Sequence, residues 1–113
     1  MKDGSVIGSN IKVADNFIHR LIGLMGKKCL LHGEGLLLKG CRQIHTFFMF
    51  MTIDVVFLDR SGEVVDIQKA MTPCKVSPYV KKAYQVLELP QGTIEQYAIQ
   101  KKVMLKVGRV DIP

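Results

Sequence analysis

The chain has 113 residues, 48% apolar and 23% charged, with 16 basic against 10 acidic side chains and a net charge of +6. That length fits one domain over residues 1–113, which buries enough surface to need no disulfide or metal staple. The composition excludes a disordered chain, and no apolar run approaches the ~20 residues of a membrane-spanning helix.

Taken in order, Ser5 to Val13 alternate loosely, which predicts a first strand or hairpin with a turn near Gly8-Ser9-Asn10. A helix follows. Asp15 is its expected N-cap, Phe17, Leu21, Leu24 and Met25 fall at helical spacing, and Gly26 is its stop. Cys29 to Gly35 reads as a loop, and Leu36-Leu37-Leu38 as a short buried strand. The longest apolar-rich run comes next, from Ile44 to Asp59, and it holds four of the five phenylalanines. In an extended chain Phe48 and Phe50 fall on one side, and His45, Phe47, Met49 and Met51 on the other. Apolar residues on both sides predict a strand buried on both faces. Val55 to Leu58 is a second buried strand, closed by a hairpin turn at Asp59-Arg60-Ser61-Gly62. Its partner strand starts at Val64 and ends near Met71 to Cys74, and Pro78 marks an irregular segment. Ala83 to Leu89 alternates as a strand, Pro90-Gln91-Gly92 turns, and Thr93 is placed to cap a short helical piece through Ala98. A last strand is expected over Val103 to Val107.

About seven short strands with one helix near the start and one short helix late give a mainly β, β-rich α+β class. An antiparallel sandwich or partly closed barrel, with the first helix packed at one end, is the expected arrangement.

Cys29, Cys41 and Cys74 are odd in number and show no CxxC spacing, so free and mostly buried thiols are expected. The opening Met1-Lys2-Asp3-Gly4-Ser5 has no hydrophobic signal region behind it, and a cytoplasmic location is the expectation. Lysines come as scattered pairs, Lys27-Lys28, Lys81-Lys82 and Lys101-Lys102, with few aromatics free to stack on bases. A solvated basic surface is expected, and nucleic acid is a disfavoured partner.

Four blocks carry a family resemblance. Arg20-Leu21-Ile22-Gly23-Leu24-Met25-Gly26 resembles the R-x-x-GLMG helix end of the DUF192 (UPF0127) family, and Gly33-Glu34-Gly35-Leu36-Leu37 its GEG strand entry. Ile44-His45-Thr46-Phe47-Phe48-Met49, followed by Ile53 to Asp59, is similar to its IHTFFM and IDVVFLD blocks. Val86-Leu87-Glu88-Leu89-Pro90-Gln91-Gly92 is similar to its VLELPAG turn. Two positions depart from the pattern: Thr52 stands where proline is usual, and Gln100-Lys101-Lys102 stands where a Gly-Asp pair is usual. The resemblance implies a jelly-roll-like β domain with an N-terminal helix over one side. It implies no established activity, and it suggests an accessory role near pilus or secretion machinery.

Asp54 interrupts an apolar run, so its carboxylate needs a partner such as Arg20, Arg42 or a backbone N–H. The spacing of His32, Cys41, His45 and Cys74 matches no zinc pattern, and no metal or cofactor is expected. Phosphate-cradling and nucleophile-elbow motifs are absent from the sequence. The leading reading is a small binding or accessory module that recognises a protein or a small ligand. Its expected site is a pocket lined by His45, Thr46, Phe48 and Asp54, with Arg20 supplying positive charge. The alternative is a small hydrolase acting through Asp54 and His45.

Overall fold

The apolar runs become five strands: β1 (Asn10–Ala14), β2 (Glu34–Lys39), β3 (Ile53–Leu58), β4 (Val64–Met71) and β5 (Gln85–Pro90). A computed structural model describes residues 6–14, 16, 24–26 and 28–106. The strands form one sheet in the order β1-β2-β5-β3-β4. β1 pairs parallel to β2, and the other three pairings are antiparallel, so the sheet is mixed.

Every residue of β3 is buried. That is why its sequence shows no polar alternation: the strand is covered on both faces. Ile53, Val55 and Phe57 join Leu36, Leu38 and Val86 in one apolar cluster. Val56 and Leu58 join Leu37, Leu87 and Leu89 in a second cluster on the opposite face.

The first face is covered by a two-stranded ribbon made of the segments on either side of β3 and β4. Thr46 N donates to Lys75 O (2.8 Å), Ser77 N to Ile44 O (2.9 Å) and Val80 N to Arg42 O (2.9 Å). Ile44, Met49, Val80 and Ala83 drop from this ribbon into the first cluster. The second face is covered by the chain after β5, including α1 (Thr93–Gln96), through Ile94, Ile99 and Leu105.

The mainly β class expected from the sequence is what the structure has. The sheet stays open and is not closed into a barrel. Four local expectations change. The stretch after Ile44 is a loop, with a single bridge from His45 to Val76, and Phe47, Phe48 and Phe50 are exposed. Gly92, with φ 93°, holds the N-cap position of α1, and Thr93 is its first residue. The expected last strand reduces, among the described residues, to one bridge between Glu63 and Met104. Cys29 and Cys74 are exposed and Cys41 is half-buried, because all three stand in loops at the rim of the core. The expected N-terminal helix falls largely outside the described residues, and Arg20 with it. Among the described residues no helix is long and apolar enough to cross a membrane.

Candidate functional site

Asp54 sits in β3 with 1% of its surface exposed. Opposite it, β4 carries one extra residue between the pairs Ile53–Met71 and Val55–Gln68, and Ala70 there takes a positive φ of 51°. The bulge turns Ala70 N inward to donate to Asp54 Oδ1 (2.9 Å). Asp54 Oδ2 accepts from Gly92 N (3.0 Å) and Ile94 N (2.9 Å), the open N–H groups at the start of α1. The backbone N–H partner anticipated for a buried aspartate is present three times over. These bonds tie Asp54 to Ile94, which belongs to the second face.

His45, Thr46 and Phe48 stand on the ribbon over the first face. The structure therefore brings those three together and keeps Asp54 apart from them, across the sheet. Thr46 is fully buried and works as a fastener. Its Oγ1 donates to Thr72 O (2.7 Å) and accepts from Lys75 N (2.8 Å), while its carbonyl accepts from Cys74 N (3.0 Å). His45 is half-buried, its Nδ1 accepts from Phe47 N (3.2 Å), and its ring stacks on Phe47 at 5.3 Å. Beyond this clasp the chain projects three rings into solvent: Phe47 is 41%, Phe48 70% and Phe50 65% exposed. Phe48 has φ 62°, a conformation that costs a bulky residue of order 1–2 kcal/mol. Its carbonyl is pinned by Gly26 N (2.8 Å).

Sequence reasoning missed two features. One is Glu88, on the central strand β5, paired in register with Val55 and Leu36. It alternates with Leu87 and Leu89 of the second cluster, so it points to the first face. It is 3% exposed, and its Oε2 has no hydrogen-bond partner among the described residues. Burial pushes its carboxyl up to about 8. The other is a basin of about 410 Å³ at the end of the sheet where β2 and β3 finish and β5 begins. Arg42, Arg60, Lys81 and Lys82 line it, with Asp59, Ser61, Ala83 and Tyr84. In the sequence these cations are dispersed, and only the pairing of β2, β5 and β3 assembles them. The legible signal was that the β3–β4 turn and the entry to β5 must share one end of the sheet.

Fold and surfaces together define a small mainly β domain, one open mixed sheet whose first face is clasped by a ribbon with an aromatic tip. The chain belongs to the DUF192 family (described as Uncharacterized ACR), whose model matches residues 2–107. A UPF0127 protein of Thermococcus sibiricus is 38% identical over 98 residues, which are 81% of this chain and 62% of that protein. The chain thus spans less than two thirds of that relative. A UPF0127 protein of Pyrococcus furiosus is 33% identical over 110 residues, 95% of this chain and 94% of the relative. A crystal structure of a Sinorhizobium meliloti protein has the same fold, with a TM-score of 0.76 at 19% identity, covering 81% of this chain and 76% of that one.

Proposed function

We propose that this chain is a small binding module that recognises a partner protein through the ribbon tip. His45, Phe47, Phe48 and Phe50 make the contact surface, and Thr46 holds it in place. The observation that carries the reading is the exposure of three neighbouring phenylalanines on a loop whose backbone is fixed by hydrogen bonds. Clustered exposed aromatics on a rigid support are the composition of interface hot spots. The strained φ of Phe48 supports it too, since unfavourable backbone geometry persists at surfaces where a side chain has a task.

Lys75 pairs with Thr46 at the base of the tip, Lys28 stands two residues past the Gly26 that binds Phe48 O, and both are exposed. A second copy of the chain would bring like charges together. The surface favours a partner with an apolar groove and an acidic rim. An accessory role beside pilus or secretion machinery, implied by the family resemblance, is one setting for such a partner. The hydrolase alternative gains no support from Asp54, whose two oxygens are taken up by three backbone N–H groups away from His45.

The test places a photoreactive phenylalanine analogue at position 48, identifies the crosslinked protein, and measures its purified form against the wild type and F48S/F50S. The expected result is binding that falls at least ~10-fold in the double variant, as hot-spot truncation does. Equal binding by both proteins overturns the reading. So does self-association through the tip, or Phe-dependent flotation with anionic vesicles and no protein partner.

A further inference from the structure

The basin at the other end of the molecule has a charge pattern that the ribbon reading does not use. Arg42 follows β2, Arg60 sits in the turn between β3 and β4, and Lys81 and Lys82 lead into β5. Like charges brought together from three segments repel, and proteins usually separate them or add carboxylates between them. Here one carboxylate, Asp59, lies among the four cations, and it is bonded to its own turn and paired with none of them. Asp59 Oδ1 accepts from Ser61 Oγ (2.6 Å), Ser61 N (2.9 Å) and Glu63 N (3.0 Å). The Ser61 hydroxyl, ahead of the backbone N–H groups, holds that carboxyl below its ordinary range against a smaller opposing effect of burial. The carboxylate therefore stays ionised, and set against the four cations that line the basin it leaves the positive charge in excess. Among the described residues the only ion pair is Lys101–Asp66, elsewhere on the surface, so the four basin cations have no counter-charge bound to them.

The basin is also held in shape. Tyr84 N donates to Leu58 O (2.8 Å), and Tyr84 O accepts from Cys41 N (2.9 Å), so one residue stitches the ends of β2 and β3 to the start of β5. The Arg60 guanidinium lies 4.0 Å above the Tyr84 ring. A cation held over the ring is restrained in place, and its N–H groups can still reach an oxyanion. The guanidinium also covers one face of Tyr84, the aromatic ring in the basin's lining, which leaves little for a nucleobase to stack on.

We propose that the basin formed by Arg42, Arg60, Lys81, Lys82 and Tyr84 is a binding site for a small phosphate-bearing molecule with at least two adjacent negative charges. Two arginine forks and two ammonium groups match a diphosphate-like group better than a single carboxylate. The depression, about 410 Å³, is open to solvent, so it would hold a small charged group at the surface by its charges and not by enclosure. The four cations line one depression at one end of the sheet, which favours a compact ligand over the backbone of a nucleic acid.

Inorganic pyrophosphate is the probe, titrated calorimetrically at low salt into the wild type, R60Q/K82Q and K12Q/K69Q. The two double variants lose equal charge, and Lys12 and Lys69 are exposed on the strands β1 and β4, away from the basin. The expected result is saturable 1:1 binding by the wild type and K12Q/K69Q, with affinity at least ~10-fold lower in R60Q/K82Q, the loss expected for removed charge-assisted contacts. All three proteins are expected to melt at similar temperatures without ligand, because the substituted side chains are exposed. Absence of saturable binding by the wild type overturns the site. Equal losses in the two double variants reduce it to overall charge and overturn it as well. Displacement of pyrophosphate by a single-stranded RNA that binds far more tightly, with steep salt dependence, overturns the small-ligand reading in favour of a nucleic-acid groove.

Discussion

Asp54 and Glu88 are buried carboxyls on adjacent strands, one register step apart, and they point to opposite faces of the sheet. Asp54 pairs in register with Leu89, and Glu88 with Val55. Asp54 is met by three backbone N–H donors, while Glu88 Oε2 meets none among the described residues. Glu88 is consequently held neutral by desolvation, raised from 4.5 to about 8. Between those values the folded chain keeps a proton that the unfolded chain has released. Stability therefore falls as pH rises from about 4.5 to 8, because the unfolded chain releases that proton and the folded chain keeps it. Glu88→Gln keeps the shape and removes the titration. The variant is expected to match the wild type near pH 5 and to exceed it by a few kcal/mol near pH 8. Urea denaturation at the two pH values checks this, and parallel pH profiles for the two proteins would contradict it.

Much of this fold was legible because β3, β5 and β2 are apolar runs bounded by turn residues, and such runs have few alternatives to burial. The ribbon was misread for a related reason. Phe47, Phe48, Met49 and Phe50 have the composition of a buried strand, and composition alone does not reveal a loop that shows its rings to solvent. Only Met49 of the four is buried. Asp54 was legible as a residue that required a partner, but its partners lie at Ala70, Gly92 and Ile94, a distance along the chain that only pairing resolves. Glu88 read as the polar member of an alternating strand, which holds only where one face meets water. Both faces of this sheet are covered, so the alternation buries an acid.

Asp54→Asn is expected to destabilise the fold even though it barely changes volume. The amide has one oxygen where the carboxylate has two. If that oxygen faces Gly92 N and Ile94 N, the NH2 group meets Ala70 N, donor against donor. A buried backbone N–H is then left without an acceptor, and charge-assisted bonds become neutral ones. The loss is roughly 2–4 kcal/mol. Equilibrium denaturation measures it, and a variant as stable as the wild type would show that Asp54 does not hold β4 and α1 as described.

Thr46→Val separates the ribbon from the sheet beneath it. Valine fills the same buried space but neither donates to Thr72 O nor accepts from Lys75 N. About 2–3 kcal/mol of stability is expected to go, with the effect concentrated in the ribbon. Native-state hydrogen exchange reads the location. The amides of Cys74, Lys75 and Ser77 are expected to exchange faster, and those of β3 and β5 to keep their protection. Uniform acceleration across the sheet would mean that the ribbon and the sheet open as one unit.

Phe48 sets stability against recognition. Its ring is 70% exposed, so removing it forfeits little burial. Its φ of 62° lies in the left-handed region, which asparagine tolerates far better than phenylalanine. Phe48→Asn is therefore expected to stabilise the domain by about 0.5–1 kcal/mol, against the general rule that replacing a large apolar residue weakens a protein. If the ribbon tip is the recognition surface, the same substitution weakens binding of the crosslinked partner at least ~10-fold, so the two measurements move in opposite directions. Thermal denaturation and partner titration on one variant test this together. A variant that is both more stable and fully competent to bind would leave the strained backbone at Phe48 without a task at the interface. A variant that loses stability would place the ring of Phe48 against the body of the domain and not in solvent.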